Sequence, residues 1–115
     1  MTDGFNGYRL CKGLGCSSIA VKLAEDFTYS LPGSLAHLHS LWASRDLLSL
    51  AEGLHSLAGS FAVISAPAMQ QCALMLESKV IDGSACEADL LEFQSLSIGL
   101  LNDLIKFVTA QSSRP

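Results

Sequence analysis

Charge is scarce in this 115-residue chain, at 16% of residues, and the seven Lys and Arg form no cluster. The basic footprint of a nucleic-acid binder is therefore missing, and the formal net charge of -4 has the wrong sign for one. Half the residues are hydrophobic, yet no uninterrupted apolar run approaches the roughly 18 residues that span a bilayer. No membrane insertion is expected, and the apolar side chains must bury one another. The opening residues Met1-Thr2-Asp3-Gly4-Phe5-Asn6 lack both a basic segment and a following apolar run, so no secretory signal is read there and a cytoplasmic setting is expected. The four cysteines, Cys11, Cys16, Cys72 and Cys86, lack the paired close spacing of zinc modules. Reduced thiols are expected, with Cys72 a small core residue. Sustained period-two alternation is also missing, which removes sheets from consideration.

What is present is helical periodicity after an irregular start. Residues 1–16 carry Gly4, Gly7, Gly13 and Gly15 without sustained periodicity and read as an irregular arm. The Gly13-Leu14-Gly15 run lacks the further glycines, or the Lys-Ser/Thr ending, of a phosphate loop. From Ser17 or Ser18, Ile19, Leu23 and Phe27 recur at four-residue intervals beside Ala20 and Ala24. Ser30-Leu31-Pro32-Gly33 interrupts or kinks that pattern before Leu35, Leu38 and Trp42 resume it, so two helices and one bent helix fit equally.

Ser44-Arg45-Asp46 offers a capped turn, after which Leu47, Leu50, Leu54, Leu57 and Phe61 trace an apolar face. Ser65-Ala66-Pro67 marks the next turn, and Met69, Ala73, Leu76 and Val80 the next stripe. Gly83-Ser84 ends that helix. A last one is predicted from about Cys86 to Thr109, facing inward with Leu90, Phe93 or Gln94, Leu96 or Ser97, Leu100, Leu104 and Phe107. The fold class predicted is all-α: an antiparallel up-and-down four-helix bundle over residues 17–110, with an additional N-terminal helix or kinked helix and a tail at 111–115.

His55 is the residue with most chemical potential. It stands in Leu54-His55-Ser56-Leu57-Ala58-Gly59-Ser60, on a stripe of Leu48, Glu52, Gly59 and Ala62 that becomes small beyond it. A glycine inside a helix costs roughly 1 kcal/mol relative to alanine. Gly59, one turn past the imidazole, therefore implies either close helix packing or close approach of a partner to the ring. Taken alone, His55 could be a structural histidine, a metal ligand or a nucleophile. A metal is disfavoured, because the position one turn on is glycine and only Glu52 is near. His37 and His39, two apart, diverge by about 200° on a helix. No metal site is expected.

The segment resembles the signature of the histidine phosphotransfer (HPt) domain, in which a helix carries His, two residues, Lys, Gly and a small residue; here it reads His55-Ser56-Leu57-Ala58-Gly59-Ser60. Ile64-Ser65-Ala66, Cys72 with Leu76-Glu77, Phe27-Thr28-Tyr29-Ser30-Leu31-Pro32 and Asp46 fit the family in order and spacing, over about residues 18 to 108. The resemblance implies a four-helix bundle whose His55 accepts and donates a phosphoryl group in a two-component phosphorelay. It implies a carrier without turnover of its own, whose partners are response-regulator receiver domains and a hybrid histidine kinase. No cofactor of its own is expected. Magnesium, carboxylates and lysine would come from the receiver, since no Lys or Arg lies between Asp46 and Ser78.

On this reading Glu52, Ala58, Gly59, Ser60 and Ala62 support His55 or form its docking flank. Glu52, three residues before His55, is expected to accept from one ring nitrogen and fix the tautomer. Ala58 replaces the family's lysine, whose charge would favour the phosphoryl group. Ala58→Lys is accordingly expected to raise the yield of phospho-His55. The chain is expected to be monomeric. The alternatives are a degenerate HPt-like module that binds a receiver or enzyme without phosphotransfer, and a plain helical dimerisation domain.

Overall fold

The computed structural model describes residues 18–112. Within them the chain forms α1 (Ser18–Ala43), α2 (Leu47–Val63), α3 (Pro67–Asp82) and α4 (Glu87–Ser112), each packed on its neighbours in sequence, with α4 closing against α1. The short connections make this an up-and-down antiparallel bundle. The sequence-predicted arm at 1–16, Cys11, Cys16, the Gly13-Leu14-Gly15 run and any additional N-terminal helix lie outside the described residues, as does the tail from 113. Pro32 falls inside α1, which continues through it as one helix.

The helix ends follow from local chemistry. After α1, the amide of Arg45 donates to the Trp42 carbonyl and that of Asp46 to Leu41, the paired bonds of a Schellman motif. The same pairing recurs after α2, from Ser65 to Ala62 and Ala66 to Phe61, and at the end of α3, from Gly83 to Val80 and Ser84 to Lys79. Each motif needs one left-handed residue; Gly83 supplies it at φ 80°, but Arg45 and Ser65 adopt φ 58° and 59° with a Cβ present. That costs roughly 1–2 kcal/mol per residue. At Arg45 the guanidinium stacks 4.1 Å over the Trp42 ring, which offsets part of it.

The helix starts are equally legible. Asp46 caps α2 by accepting from the Ser49 amide at 3.3 Å, and Pro67 occupies the first turn of α3, where no amide is needed. At α4 the Asp89 carboxylate accepts from the Cys86 amide at 3.0 Å and from Nζ of Lys79 on α3 at 3.1 Å. These bonds, the amide's first, hold the Asp89 carboxyl below its usual range.

The core runs the length of the bundle, with Phe61 at its centre in edge contact with Phe27 of α1 and Phe93 of α4. One inward face differs from expectation, and another decides between two stated alternatives. Ala20 and Ala24 are fully buried, whereas Ile19 is 61% exposed; the small side chains, not the β-branched one, line the α1 seam. On α4 it is Ser97 that turns fully inward and Leu96 that turns out. Cys72 is half-buried against the core rather than within it, and burial, then the Glu92 charge, pushes its thiol pKa up.

Two glycines of α2 have different jobs. A Cβ on Gly53 would stand 2.8 Å from Cδ2 of Leu38, whereas one on Gly59 would meet nothing within 4 Å. Close packing against α1 is therefore the work of Gly53, and Gly59 faces open space. Gly59→Ala is expected to raise unfolding free energy by about 0.5–1 kcal/mol, the helix-propensity gain, and Gly53→Ala to gain nothing because Leu38 must move. Urea midpoints with an unchanged slope would check both; equal gains would refute the assignment.

Candidate functional site

The site is built on the α2/α3 hairpin. Gly53 marks the flank of α2 that faces α1. At 100° per residue Ala51 lies about 200° away from it, with Ala58 and then His55 beside Ala51 on the α3 flank. Ala51 and Ala58 are buried, and α2 and α3 form the most closely packed helix pair. Two alanines one heptad apart let the helix axes approach, and that approach brings a residue of α3 to the imidazole.

That residue is Glu77. Nδ1 of His55 lies 3.1 Å from Oε1 of Glu77, with the His55 side chain 71% exposed and that of Glu77 only 19%. A carboxylate oxygen accepts, so this bond is made by the tautomer with hydrogen on Nδ1, in which Nε2 keeps its lone pair. An exposed imidazole with one nitrogen tethered and the other free is arranged as a nucleophile toward an incoming electrophile. The tether also stabilises positive charge that develops on the ring when Nε2 forms a bond.

The expected contact with Glu52 is not made; Glu52 is exposed, and the 3.1 Å partner is Glu77. Three-residue spacing on one helix is less decisive than the hairpin, which folds α3 back across the site. A signal for Glu77 did exist. With the turn at Ser65, the position as far beyond it as His55 lies before it is Met75, and Glu77, two residues further on, is the first acid of α3.

Of the other predicted site residues, Leu48, Gly59 and Ala62 are exposed on the His55 side of α2. Ala58 is not. It is 2% exposed and part of the core, so it cannot form a docking surface. A lysine there would have to thread its stem outward from the tight α2/α3 seam, and overpacking such a seam typically costs about 1–3 kcal/mol. The electrostatic gain expected from Ala58→Lys is thus set against a loss of packing beside Glu77. Ser60 is half-buried on the other flank, lining a groove between α1 and α2 with Ser34, His37 and Ser56. Lys79, the first basic residue after His55, is engaged by Asp89. Among the described residues, no group of three or more His, Cys, Asp or Glu gathers as a metal site, and no helix is long and apolar enough to cross a membrane.

Removal of the tether is expected to show in both tautomer and rate. Glu77→Gln keeps an accepting oxygen and should preserve the Nδ1–H form, whereas Glu77→Ala should shift His55 toward Nε2–H in nitrogen NMR spectra. With the His55 side chain 71% exposed, solvent limits the interaction to about 1 kcal/mol, and attack by Nε2 on an electrophile should slow by up to about fivefold in Glu77→Ala. An unchanged tautomer population in Glu77→Ala would dismiss the role.

A family model described as Hpt domain matches residues 22–108, and the chain belongs to that family, the histidine phosphotransfer domains of two-component phosphorelays. No curated protein and no solved structure matches the chain.

Proposed function

We propose that the protein relays a phosphoryl group between receiver-domain aspartates through His55, as a carrier without turnover of its own, in the cytoplasm. The observation that carries this reading is the exposed His55 imidazole, tethered at Nδ1 by Glu77 in a chain of the Hpt family. Nε2 attacks phosphorus of the receiver's aspartyl phosphate; the N–P bond forms as the P–O bond to the aspartate breaks, and the aspartate leaves as a carboxylate. The ring gains positive charge and keeps its Nδ1 hydrogen on Glu77, so no proton need be lost before the reverse step. A second receiver aspartate then takes the group, and a hybrid histidine kinase stands upstream.

Charge on the transferred oxygens must be met from outside. The receiver brings the magnesium ion and lysine, since α2 supplies neither Lys nor Arg. Gly59 and Ala62, exposed and small beside His55, leave room for that partner, with Leu48 offering an apolar contact 75% exposed.

Incubation of the chain with phosphorylated receiver domains tests the reading. Acid-labile, alkali-stable phosphate on the chain, chased onto a second receiver, is the expected result. Binding without transfer across several donors would replace it with a docking module of the same fold.

A further inference from the structure

The helix pair on the far side of the bundle from His55 has an unexplained outer surface. On α4, Leu91, Ile98 and Ile105 are 55%, 52% and 45% exposed, at intervals of seven, with half-buried Leu101 and Val108 beside them. The core of the same helix is already built from Leu90, Phe93, Leu100 and Leu104. The second stripe is therefore surplus to the bundle. It continues onto α1, where Tyr29 is 91% exposed and shares with Ile105 and Val108 a cleft that Glu25, Thr28 and Thr109 also line. Glu92 and Asp103 lie more than about 100° around the helix from Ile98.

We propose that this α1/α4 face pairs two copies of the chain, α4 against α4 in antiparallel order about a two-fold axis at Ile98. Strict seven-residue spacing is the pattern a helix presents to another helix, giving crossings near +20°. It is also self-complementary: an axis at Ile98 sets Leu91 against the second copy's Ile105, and the reverse. Along α4 the charges agree, because Glu87 at the head of the stripe then falls within a turn of the second copy's Lys106. The area agrees too. Helices of 26 residues are about 39 Å long, and two side by side span about 20 Å, a face of about 800 Å² per copy, which is what a stable interface needs.

Pairing here leaves each His55, on the α2/α3 side, facing outward and open. The result departs from the monomer that the sequence suggests, and it stands independently of phosphotransfer.

Sedimentation equilibrium on the full chain, from about 1 to 200 µM, should show mass rising from 12.2 kDa toward twice that value. Ile98→Glu, at an exposed position, should raise the dissociation constant about thirtyfold or more with an unchanged circular-dichroism melt. Lys106→Glu should weaken pairing, and Glu87→Lys added to it should restore it, which a parallel arrangement would not do. A mass of 12.2 kDa at every concentration, as when residues 1–17 or an unrelated protein cover the stripe, overturns the proposal. So does a dimer indifferent to Ile98→Glu.

Discussion

His55→Gln is expected to remove all acid-labile phosphate from the chain while leaving its thermal melt unchanged. The two outcomes have separate causes. The imidazole is 71% exposed, so its replacement removes little buried surface, and exposed substitutions of this kind stay within about 0.5 kcal/mol. Glutamine can still donate an amide hydrogen toward Glu77, so that carboxylate keeps a partner. What it cannot offer is a basic nitrogen: the amide lone pair is delocalised, and attack on phosphorus fails. Label that persists in the variant with the same acid lability would move the acceptor to His37 or His39, both exposed on α1. Label lost together with the melt would mean that His55 supports the fold instead.

Phe61→Ala is expected to give the largest loss of stability. Phe61 is fully buried, the largest side chain to be so, and its ring centroid lies 5.6 Å from that of Phe27 and 6.3 Å from that of Phe93, both edge-on. One side chain thus joins α1, α2 and α4. Truncation removes the transfer energy of the ring and two aromatic contacts and leaves a cavity that helices pinned by short turns cannot close, about 3–5 kcal/mol in all. Against a total of about 5–15 kcal/mol for a domain, the variant should melt some 15–30 °C lower. A loss under about 1 kcal/mol by urea titration would show that the bundle collapses around the gap.

Much of the architecture is legible in the sequence because its signals are local. Asp46, Pro67 and Gly83 act within a turn of themselves, and each ends or begins a helix where its chemistry says it should. The errors have a common physical origin: a stripe of side chains does not state which neighbour it meets. Ile19 is more apolar than Ala20, yet helix separation, not hydrophobicity, decided which turned inward. Gly59 drew attention as the glycine near the histidine, while Gly53, packed against Leu38, is visible only once α1 is in place. Glu52 shares a helix with His55, but the imidazole answers to Glu77 on the next. Ala58 marks a missing lysine by its resemblance to the family signature and a helix seam by structure.

The seam has a kinetic consequence as well. His55 and Glu77 are 22 residues apart, joined through one three-residue connection, so bringing them together closes a short loop, and closure entropy grows only as the logarithm of loop length. Contacts of such low sequence separation are the ones that form early in helical proteins. The imidazole and its tether therefore belong to a helical hairpin able to assemble before α1 and α4 meet, and local opening of the outer pair need not dismantle them.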